Sequence, residues 1–179
     1  MVEERKEWII AVDDDPGLLD SFKRILTRRY RVSLFSTPAE ALEAIRTEGC
    51  PDLVITDQRM PVMTGTQLLE EILTIHPESV GMIVTGFTER GDLIGAINNA
   101  RVFAYVVKPW AAEDLLETVD RALRMSTARR ARKNLNEDLV KIQHQLGVLN
   151  SQVTADKTTL AESFAEVRRQ LVELSERSS

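Results

Sequence analysis

Five short apolar runs alternate with stretches of helical spacing, and each run stops abruptly at polar or turn residues. The runs span residues 8–12, 31–35, 53–55, 80–84 and 103–107. Between them, apolar residues recur every three or four positions, as at Leu18, Phe22 and Ile25. Strands that alternate with helices through short connections form right-handed crossovers and hence a parallel sheet covered on both faces. The sequence therefore predicts an α/β fold with five parallel strands.

Polar residues follow four of the five predicted strands. These residues are Asp13, Asp14 and Asp15 after the first strand, Asp57 after the third, Thr85 after the fourth and Lys108 after the fifth. The carboxyl ends of parallel strands meet at one edge of a sheet, so we expect these groups to converge on one site. We also expect Asp57 to be displayed at that edge rather than buried. Hydrophobic periodicity alone does not require this convergence.

A group of carboxylates with a lysine and a threonine suits one chemistry in particular. Carboxylates held together repel one another unless a cation neutralises them, and Mg²⁺ prefers one or two carboxylates with phosphate oxygens. A carboxylate can also attack phosphorus to form an acyl phosphate. The transition state then needs a metal, a cation and a hydroxyl or amide donor around the phosphoryl oxygens. The residues therefore indicate a phosphoryl-accepting Asp57, assisted by Asp13 and Asp14 with a metal, by Lys108 and by Thr85.

An alternative interpretation treats the acids as helix caps. Asp15 before Pro16 fits an N-cap, which explains one acid of three but neither Lys108 nor Thr85. A separate capping box is predicted where Thr37 precedes Pro38, with Glu40 as its acidic partner.

Four motifs at these strand ends carry a family resemblance. They are VDDD at 12–15, ITDQRMPVMTG at 55–65, VTG at 84–86 and YVVKPW at 105–110. In this order the chain from residue 7 to about 124 resembles the receiver domain of two-component response regulators. The resemblance implies a flavodoxin-like, doubly wound five-stranded parallel sheet with strand order 2-1-3-4-5. We accordingly assign residues 1–124 to a receiver domain.

The resemblance also implies a role for each matching residue. Asp57 corresponds to the phosphorylated aspartate, and Lys108, before a cis Lys108–Pro109 bond, pairs with the phosphoryl group. The implied Mg²⁺ ligands are Asp14 directly, Asp13 through water, Asp57, and the backbone carbonyl of Arg59. Thr85 and Tyr105 resemble the switch pair, in which the hydroxyl moves to the phosphoryl group and the aromatic ring follows inward.

Two positions resemble those that control the access of water to the acyl phosphate. Arg59 and Phe87 lie two residues past Asp57 and Thr85. A long cation and a large ring should obstruct water there, so we expect slow dephosphorylation. Comparable rates after Arg59→Asn combined with Phe87→Glu would contradict this hypothesis.

The C-terminal third predicts one long helix. From Glu113 onward there is no proline and one glycine, Gly147, which allows a helix of about 60 residues, about 90 Å long. Its apolar positions follow a coiled-coil spacing: Leu135, Leu139, Ile142, Leu146, Leu149, Val153, then Leu160, Phe164, Val167, Leu171 and Leu174. Asp156 takes a core position, and the following steps insert a stutter. We predict that residues 125–179, continuous with the last receiver helix, form a parallel homodimer through residues 135–174.

Charge and composition limit the partners. Residues 1–124 carry 14 Lys/Arg and 21 Asp/Glu, an acidic balance that argues against direct nucleic-acid binding. The basic stretch 121–133 is interpreted as a solvated face, or as partners for receiver acids. Cys50 has no obvious accompanying His or cation, and His76 and His144 are too isolated to be metal ligands. With one cysteine and no apolar run long enough for a signal peptide or a membrane span, we expect a cytoplasmic protein.

Three functional hypotheses remain open. The first is a signalling switch phosphorylated at Asp57 by a histidine kinase, with Mg²⁺ as cofactor and a downstream output partner, and with no enzymatic activity besides its own phosphorylation and dephosphorylation. The second is the regulatory part of an enzyme, such as a cyclic-dinucleotide enzyme or a phosphatase, whose effector domain lies beyond Ser179. The third, a metal phosphatase, is weaker because no general acid follows Asp57 within two positions.

Overall fold

The structure is a computed structural model, and it describes residues 6–86 and 102–176, with side chains up to residue 170. Its strands are β1 (Trp8–Val12), β2 (Arg31–Phe35), β3 (Leu53–Asp57), β4 (Val80–Thr85) and β5 (Val102–Val107). They form one parallel sheet in the order β2-β1-β3-β4-β5, which confirms the predicted fold class and strand order. Phe87 and the helix predicted through Leu93 lie outside the described residues.

Four helices are described: α1 (Pro16–Leu26), α2 (Pro38–Glu48), α3 (Gly65–Ile75) and α4 (Ala112–Glu176). Residues of β1 alternate between the two faces of the sheet, as the period of a strand requires. Ile9 and Ala11 pack in a core with α1 and the first turns of α4, whereas Ile10 and Val12 pack in a second core with α2 and α3. Because both faces are covered, the polar ends of the strands are the places where the sheet can meet a ligand.

Side-chain caps start the helices just past the strand ends. Asp15 caps α1, since its Oδ1 accepts a hydrogen bond from the backbone N–H of Gly17 at 2.8 Å. The capping box predicted for Thr37 and Glu40 is present at the start of α2. These caps satisfy amide groups that a helix leaves without internal partners. They therefore fix where the chain turns from the carboxyl edge of the sheet into each helix.

The chain divides into two compact units, Met1–Lys133 and Asn134–Ser179. The second unit consists of the later part of α4, which is an uninterrupted helix of 65 residues. Along it the predicted seam is exposed in the single chain, with Leu135 at 61%, Leu146 at 54% and Phe164 at 68% of full exposure. The side chains of Leu171 and Leu174 lie outside the described part. No helix among the described residues is both long and apolar enough to cross a membrane.

Candidate functional site

Asp57 is the last residue of β3, and it is buried, with only 8% of its surface exposed. The expectation that this carboxylate is displayed rather than buried is therefore wrong. Its position at the strand end is as predicted, but side chains from the ends of other strands close over it. A buried carboxylate must be paired or hydrogen-bonded, so its partners determine what the site can do.

Lys108 brings the carboxylates together. Its Nζ lies 2.5 Å from Oδ1 of Asp57 and 3.2 Å from Oδ2 of Asp13. The backbone N–H of Lys108 donates to the carbonyl oxygen of Thr85 at 2.9 Å, which positions the residue just past β5. The Lys108–Pro109 peptide bond is cis, as the family resemblance implied. We call Asp13, Asp57, Thr85 and Lys108 the carboxyl-edge site.

In the contacts of the described residues, the carboxyl-edge site has two carboxylates around one ammonium group. Two carboxylates share one ammonium group, and Asp13 is only 1% exposed. Burial raises the pKa of Asp13 above its ordinary value, against the hydrogen bond from Asp15 and the charge of Lys108. Burial also acts to lower the pKa of Lys108, but its hydrogen bond with Asp57 and the charges of both acids outweigh this, so the pKa is raised. The lysine therefore stays protonated, and the site retains an excess of acid.

The three consecutive acids have different surroundings. Asp13 points into the site, and its Oδ1 accepts a hydrogen bond from the backbone N–H of Asp15 at 2.9 Å. Asp15 caps α1, so the capping explanation is right for this acid, and the predicted site, which used Asp13 and Asp14, did not include it. Asp14 is exposed at the rim. The described contacts thus unite Asp13, Asp57 and Lys108, whereas Asp14 is near them in sequence and open to solvent.

The loop after Asp57 holds the carboxylate from the other side. The backbone N–H of Arg59 donates to Oδ2 of Asp57 at 2.5 Å, so each carboxylate oxygen has a donor. The loop then makes a tight turn in which Met63 N–H donates to the carbonyl of Pro61 at 2.9 Å. Val62 at its centre has φ 74°, an unfavourable conformation for a β-branched residue, and its side chain is fully exposed. The turn therefore stores strain in the loop that follows Asp57.

Gly65 is a functional position that the sequence reasoning did not single out. A Cβ atom there would lie 2.2 Å from the carbonyl oxygen of Asp57, so only glycine allows α3 to begin so close to β3. A glycine after the turn residues was visible in the sequence. What it approaches was not, because the contact joins the start of a helix to the end of the preceding strand.

The predicted switch residues lie on neighbouring strands. Thr85 ends β4 and is fully buried, and Tyr105 is half-buried on β5 opposite Ile83. Among the described residues the hydroxyl oxygen of Tyr105 is buried without a hydrogen-bond partner, and burial raises its pKa. Leaving a buried hydroxyl unsatisfied costs about 1–3 kcal/mol. The present position of the Tyr105 hydroxyl therefore carries an energetic cost.

A second group of potential ligands lies at the opposite edge of the sheet. Cys50, His76 and Glu78 each bring one potential ligand atom within 4.8 Å of the others, so the prediction that Cys50 and His76 are isolated is wrong. However, the ammonium of Lys133 lies 2.7 Å from Oε1 of Glu78, and a guanidinium nitrogen of Arg130 lies 3.8 Å from the Cys50 sulfur. A metal ion would add a further positive charge beside these two cations. We therefore assign Glu78 to an ion-pair network rather than to a metal centre.

Comparison with known proteins places these observations in a family. The profile of the family "Response regulator receiver domain" matches residues 9–120. The hydrogenase transcriptional regulatory protein HoxA of Cupriavidus necator is 31% identical over 122 residues, which are 68% of this chain and 25% of HoxA. The chain thus spans about a quarter of the length of the curated relatives that it matches.

Solved structures agree with the sequence match. A CheY-like receiver domain protein from Methanospirillum hungatei superimposes with a TM-score of 0.63 at 32% identity, over 69% of this chain and 98% of that one. A structure described as adenylate cyclase from Rhodopirellula baltica gives a TM-score of 0.69 at 28% identity, over 74% of this chain and 98% of that one. Together with the acidic site at the carboxyl edge, these matches confirm the resemblance. The chain belongs to the receiver-domain family of two-component response regulators.

Proposed function

We propose that this chain accepts a phosphoryl group on Asp57 from a histidine kinase and transmits the resulting change through α4. The observation that carries the proposal is the Lys108 ammonium held between the carboxylates of Asp57 and Asp13. This arrangement supplies a nucleophile, a fixed cation and an excess of negative charge in one buried place. Phosphoryl transfer needs these parts, because its catalysis is mainly positioning and charge stabilisation.

Each residue has a defined part in the transfer. A carboxylate oxygen of Asp57 attacks the phosphorus of a phosphohistidine, an acyl phosphate P–O bond forms, and the P–N bond breaks. The departing imidazole nitrogen keeps the electron pair and takes up a proton. Lys108 moves its hydrogen bond from the carboxylate to a phosphoryl oxygen, while the backbone N–H of Arg59 keeps the other carboxylate oxygen oriented. The Thr85 hydroxyl donates to a second phosphoryl oxygen.

The residues present fit a Mg²⁺ ion. Asp13 and Asp57 provide oxygen ligands in excess of the single ammonium that they share, and the exposed Asp14 stands at the rim. We propose that Asp14 binds Mg²⁺ directly and Asp13 through water, with Asp57 and the carbonyl oxygen of Arg59 as further ligands. When bound, the ion neutralises charge on the phosphoryl oxygens.

The site can exist in two conformational states that differ in the position of the Tyr105 ring. Its hydroxyl is buried without a partner among the described residues, so the present position of the ring carries a cost that a position with the hydroxyl in solvent would avoid. We propose that the Thr85 hydroxyl turning towards the phosphoryl group makes room for the inward ring and so favours that state. Phosphorylation then shifts an existing equilibrium around β5 and α4. Arg59 and Phe87 keep their predicted role in slowing dephosphorylation.

The exposed seam on α4 supports a homodimer as the form that carries the signal. Leu135, Leu139 and Ile142 are each about half exposed or more, a pattern that a lone helix cannot bury. We propose that two copies pair in parallel through residues 135–174, and that the changed receiver alters the pairing or register of the coil.

The output beyond the coil has two candidates. HoxA is a transcriptional regulatory protein, and its match to this chain covers only a quarter of its length. The Rhodopirellula baltica neighbour is described as an adenylate cyclase. We therefore keep as an alternative that this chain is the regulatory part of a longer protein whose effector domain lies beyond Ser179.

The decisive experiment is solution mass by light scattering, with and without Mg²⁺ and beryllofluoride, which mimics an acyl phosphate. Asp57→Asn is the test variant, and Asp20→Asn, an exposed acid on α1, is the matched control. We expect the mimic to bind the wild type and the control, to change mass or hydrodynamic shape in both, and to do neither in Asp57→Asn.

The possible outcomes separate the models. A dimer in every state, with a change of shape on adding the mimic, means that the signal is a rearrangement within a constitutive coil. A monomer that dimerises only with the mimic makes assembly itself the output. If neither mass, shape nor Mg²⁺ affinity responds to the mimic, the proposed function is wrong.

A further inference from the structure

The edge of the sheet opposite Asp57 carries a second set of charged contacts, and all of them involve α4. The guanidinium of Arg130 lies 2.8 Å from Oδ1 of Asp52, and the ammonium of Lys133 lies 2.7 Å from Oε1 of Glu78. One turn before Lys133, the guanidinium of Arg129 donates to the backbone carbonyl of Ser79 at 2.8 Å. We call these six residues the amino-edge clamp, because they join α4 to the residues that immediately precede β3 and β4.

The acids of the amino-edge clamp are held firmly by the sheet. The side chains of Asp52 and Glu78 are 8% and 7% exposed. The other oxygen of Asp52 accepts a hydrogen bond from the backbone N–H of Trp8 at 2.8 Å, which connects the pair to β1. Ser126 adds a hydrogen bond from its hydroxyl to the carbonyl of Glu78 at 3.3 Å. The helix is thus attached through four of its residues to segments that the sheet keeps fixed.

The buried acids make these pairs different from ordinary surface ion pairs, although the Lys133 side chain itself is 47% exposed. An exposed pair contributes little, whereas removing one partner of a buried pair leaves a charge without compensation. Glu78 illustrates the balance: burial acts to raise its pKa, but the hydrogen bond and charge of Lys133 outweigh this, so the pKa is lowered. Residues 126–133 of α4 therefore cannot detach without exposing or abandoning two buried carboxylates.

The clamp occupies a single face of α4. Residues 126, 129, 130 and 133 have the spacing of one helical stripe, and this stripe continues the buried apolar one formed by Leu115, Val119 and Ala122. An ideal α-helix turns by about 100° per residue. On such a helical wheel, the sequence positions of Leu135, Leu139 and Ile142 differ from that of Lys133 by about 120–180°. In the sequence, the clamp residues and the seam residues thus occupy different positions of the helical repeat.

We infer that the amino-edge clamp is a positioning device that fixes the rotation of α4 about its own axis where the helix leaves the receiver unit. A helix held only by its apolar stripe would lose contact with the sheet after Leu123, the last buried apolar residue among the α4 side chains described, which extend to residue 170. The clamp extends the contact of α4 with the sheet by about three further turns, to Lys133. A conformational change of the receiver unit then reaches the coiled coil as a rotation or translation of α4. Without the clamp, a flexible segment would absorb that change. This inference rests on the proposed function only for its last step.

The first test measures the clamp itself. Lys133→Glu places two acids together, and the double variant Lys133→Glu with Glu78→Lys restores an opposite pair in reverse. Arg124→Glu makes the same charge change on an exposed position of the same helix and is the control. We expect amide hydrogen exchange over residues 126–140 to accelerate at least about tenfold in Lys133→Glu and to return close to wild type in the double variant.

Two results would contradict the inference that the amino-edge clamp holds α4. One is exchange in Lys133→Glu that matches Arg124→Glu; the other is acceleration spread equally over β1, β3 and β4, since that would mean general unfolding. The milder Lys133→Met keeps the test usable if Lys133→Glu does not fold. For Lys133→Met we expect a smaller acceleration of amide hydrogen exchange, again confined to residues 126–140.

The second test asks whether the clamp positions the coil during signalling. A cysteine is introduced at Leu149 on the seam, and the rate of disulfide cross-linking between copies is measured with and without Mg²⁺ and beryllofluoride. The protein without that cysteine supplies the background from Cys50. We expect the clamp variants to bind the mimic as the wild type does, while the effect of the mimic on the cross-linking rate falls at least about threefold.

The outcomes distinguish the two proposals. An unchanged effect of the mimic in Lys133→Glu would overturn the positioning role even if hydrogen exchange were faster. If the wild-type coil itself does not respond to the mimic, the transmission step of the proposed function fails. In that case the hydrogen-exchange measurement alone tests whether the clamp holds α4.

Discussion

The sheet carries a buried group of charges at each of its two edges, and the groups differ in charge balance. At the carboxyl edge, Asp13 and Asp57 share the single ammonium of Lys108. At the amino edge, Asp52 and Glu78 each have a cation of their own on α4. In the described contacts the first group has two carboxylates for one ammonium, which supports the Mg²⁺ ion that we propose there, whereas in the second group each carboxylate is paired with a cation.

β3 connects the two groups directly. Asp52 precedes it and Asp57 ends it, so one short buried strand has an acid at each end. What makes one a proposed phosphoryl acceptor and the other a fastening point is the number and origin of the cations that reach it. Function in this fold is therefore set at the strand ends by partners that come from elsewhere in the chain.

The largest expected effect that tests this comparison is selective stabilisation by Mg²⁺. At a Mg²⁺ concentration of 100 times its dissociation constant, the free energy of unfolding should rise by about 2.7 kcal/mol. Asp13→Asn should remove most of this gain, because it takes away one of the two buried carboxylates. Lys133→Met should keep the gain, because the amino-edge clamp lies at the other edge. Urea unfolding with Mg²⁺ or with EDTA measures each difference.

The comparison would fail if both variants lost the same Mg²⁺ stabilisation. It would also fail if Mg²⁺ stabilised Asp13→Asn as much as the wild type. Either result would mean that the ion acts on general surface charge rather than at the carboxyl-edge site.

The next effect concerns how closely the carboxyl-edge site is packed. Gly65→Ala forces a methyl group against the Asp57 carbonyl oxygen, so we expect a loss of about 1–3 kcal/mol in the free energy of unfolding together with weaker binding of beryllofluoride. Gly147→Ala is the matched control: a Cβ there meets nothing within 4 Å in the middle of α4. It should stabilise its helix by about 0.5–1 kcal/mol. Equal effects of the two substitutions in urea unfolding would show that the close approach at Asp57 has no consequence.

The smallest effect is the pH dependence of the amino-edge clamp. The pKa of Glu78 is lowered in the folded protein, so its contribution to stability is present above 4.5, its ordinary value, and is lost as the pH falls through the folded value. Because one proton is involved, the free energy of unfolding changes by at most about 1.4 kcal/mol per pH unit. Glu78 faces Lys133 on α4 and lies beside Cys50 and His76.

Lys133→Met should make the acid side of the stability profile shallower, because it removes the cation that lowers the pKa of Glu78. Arg124→Glu is again the control, and its profile should keep the wild-type slope at acid pH. Urea midpoints measured across the acid range supply both profiles. An unchanged slope in Lys133→Met would show that the Lys133–Glu78 pair contributes nothing to stability.

Much of the carboxyl-edge site could be predicted from the sequence because its residues follow strands directly. Lys108 and Thr85 come at or just after the ends of β5 and β4, where the apolar pattern stops. The cap at Asp15 and the capping box at Thr37 were equally predictable, since both are local and depend on residues within three positions of each other.

The burial of Asp57 could not be predicted in this way. The strand end is a local feature, but exposure depends on what covers it, and the cover includes Lys108, 51 residues away in sequence. The same holds for the amino-edge clamp. Sequence analysis allowed the basic stretch 121–133 to pair with receiver acids, but Glu78 and Lys133 are separated by 55 residues, and no periodicity connects them.

The sequence by itself determined the ends of the strands and the apolar spacing along α4, because short-range periodicity and cap chemistry specify both. The strand order was implied only by the resemblance of the four motifs to receiver domains. Only the tertiary structure decided which acids share a cation and which have their own. Those pairings depend on how the strand ends and α4 come together in three dimensions. The energy of a buried charge is set by its nearest partners, and folding chooses these partners from distant parts of the chain.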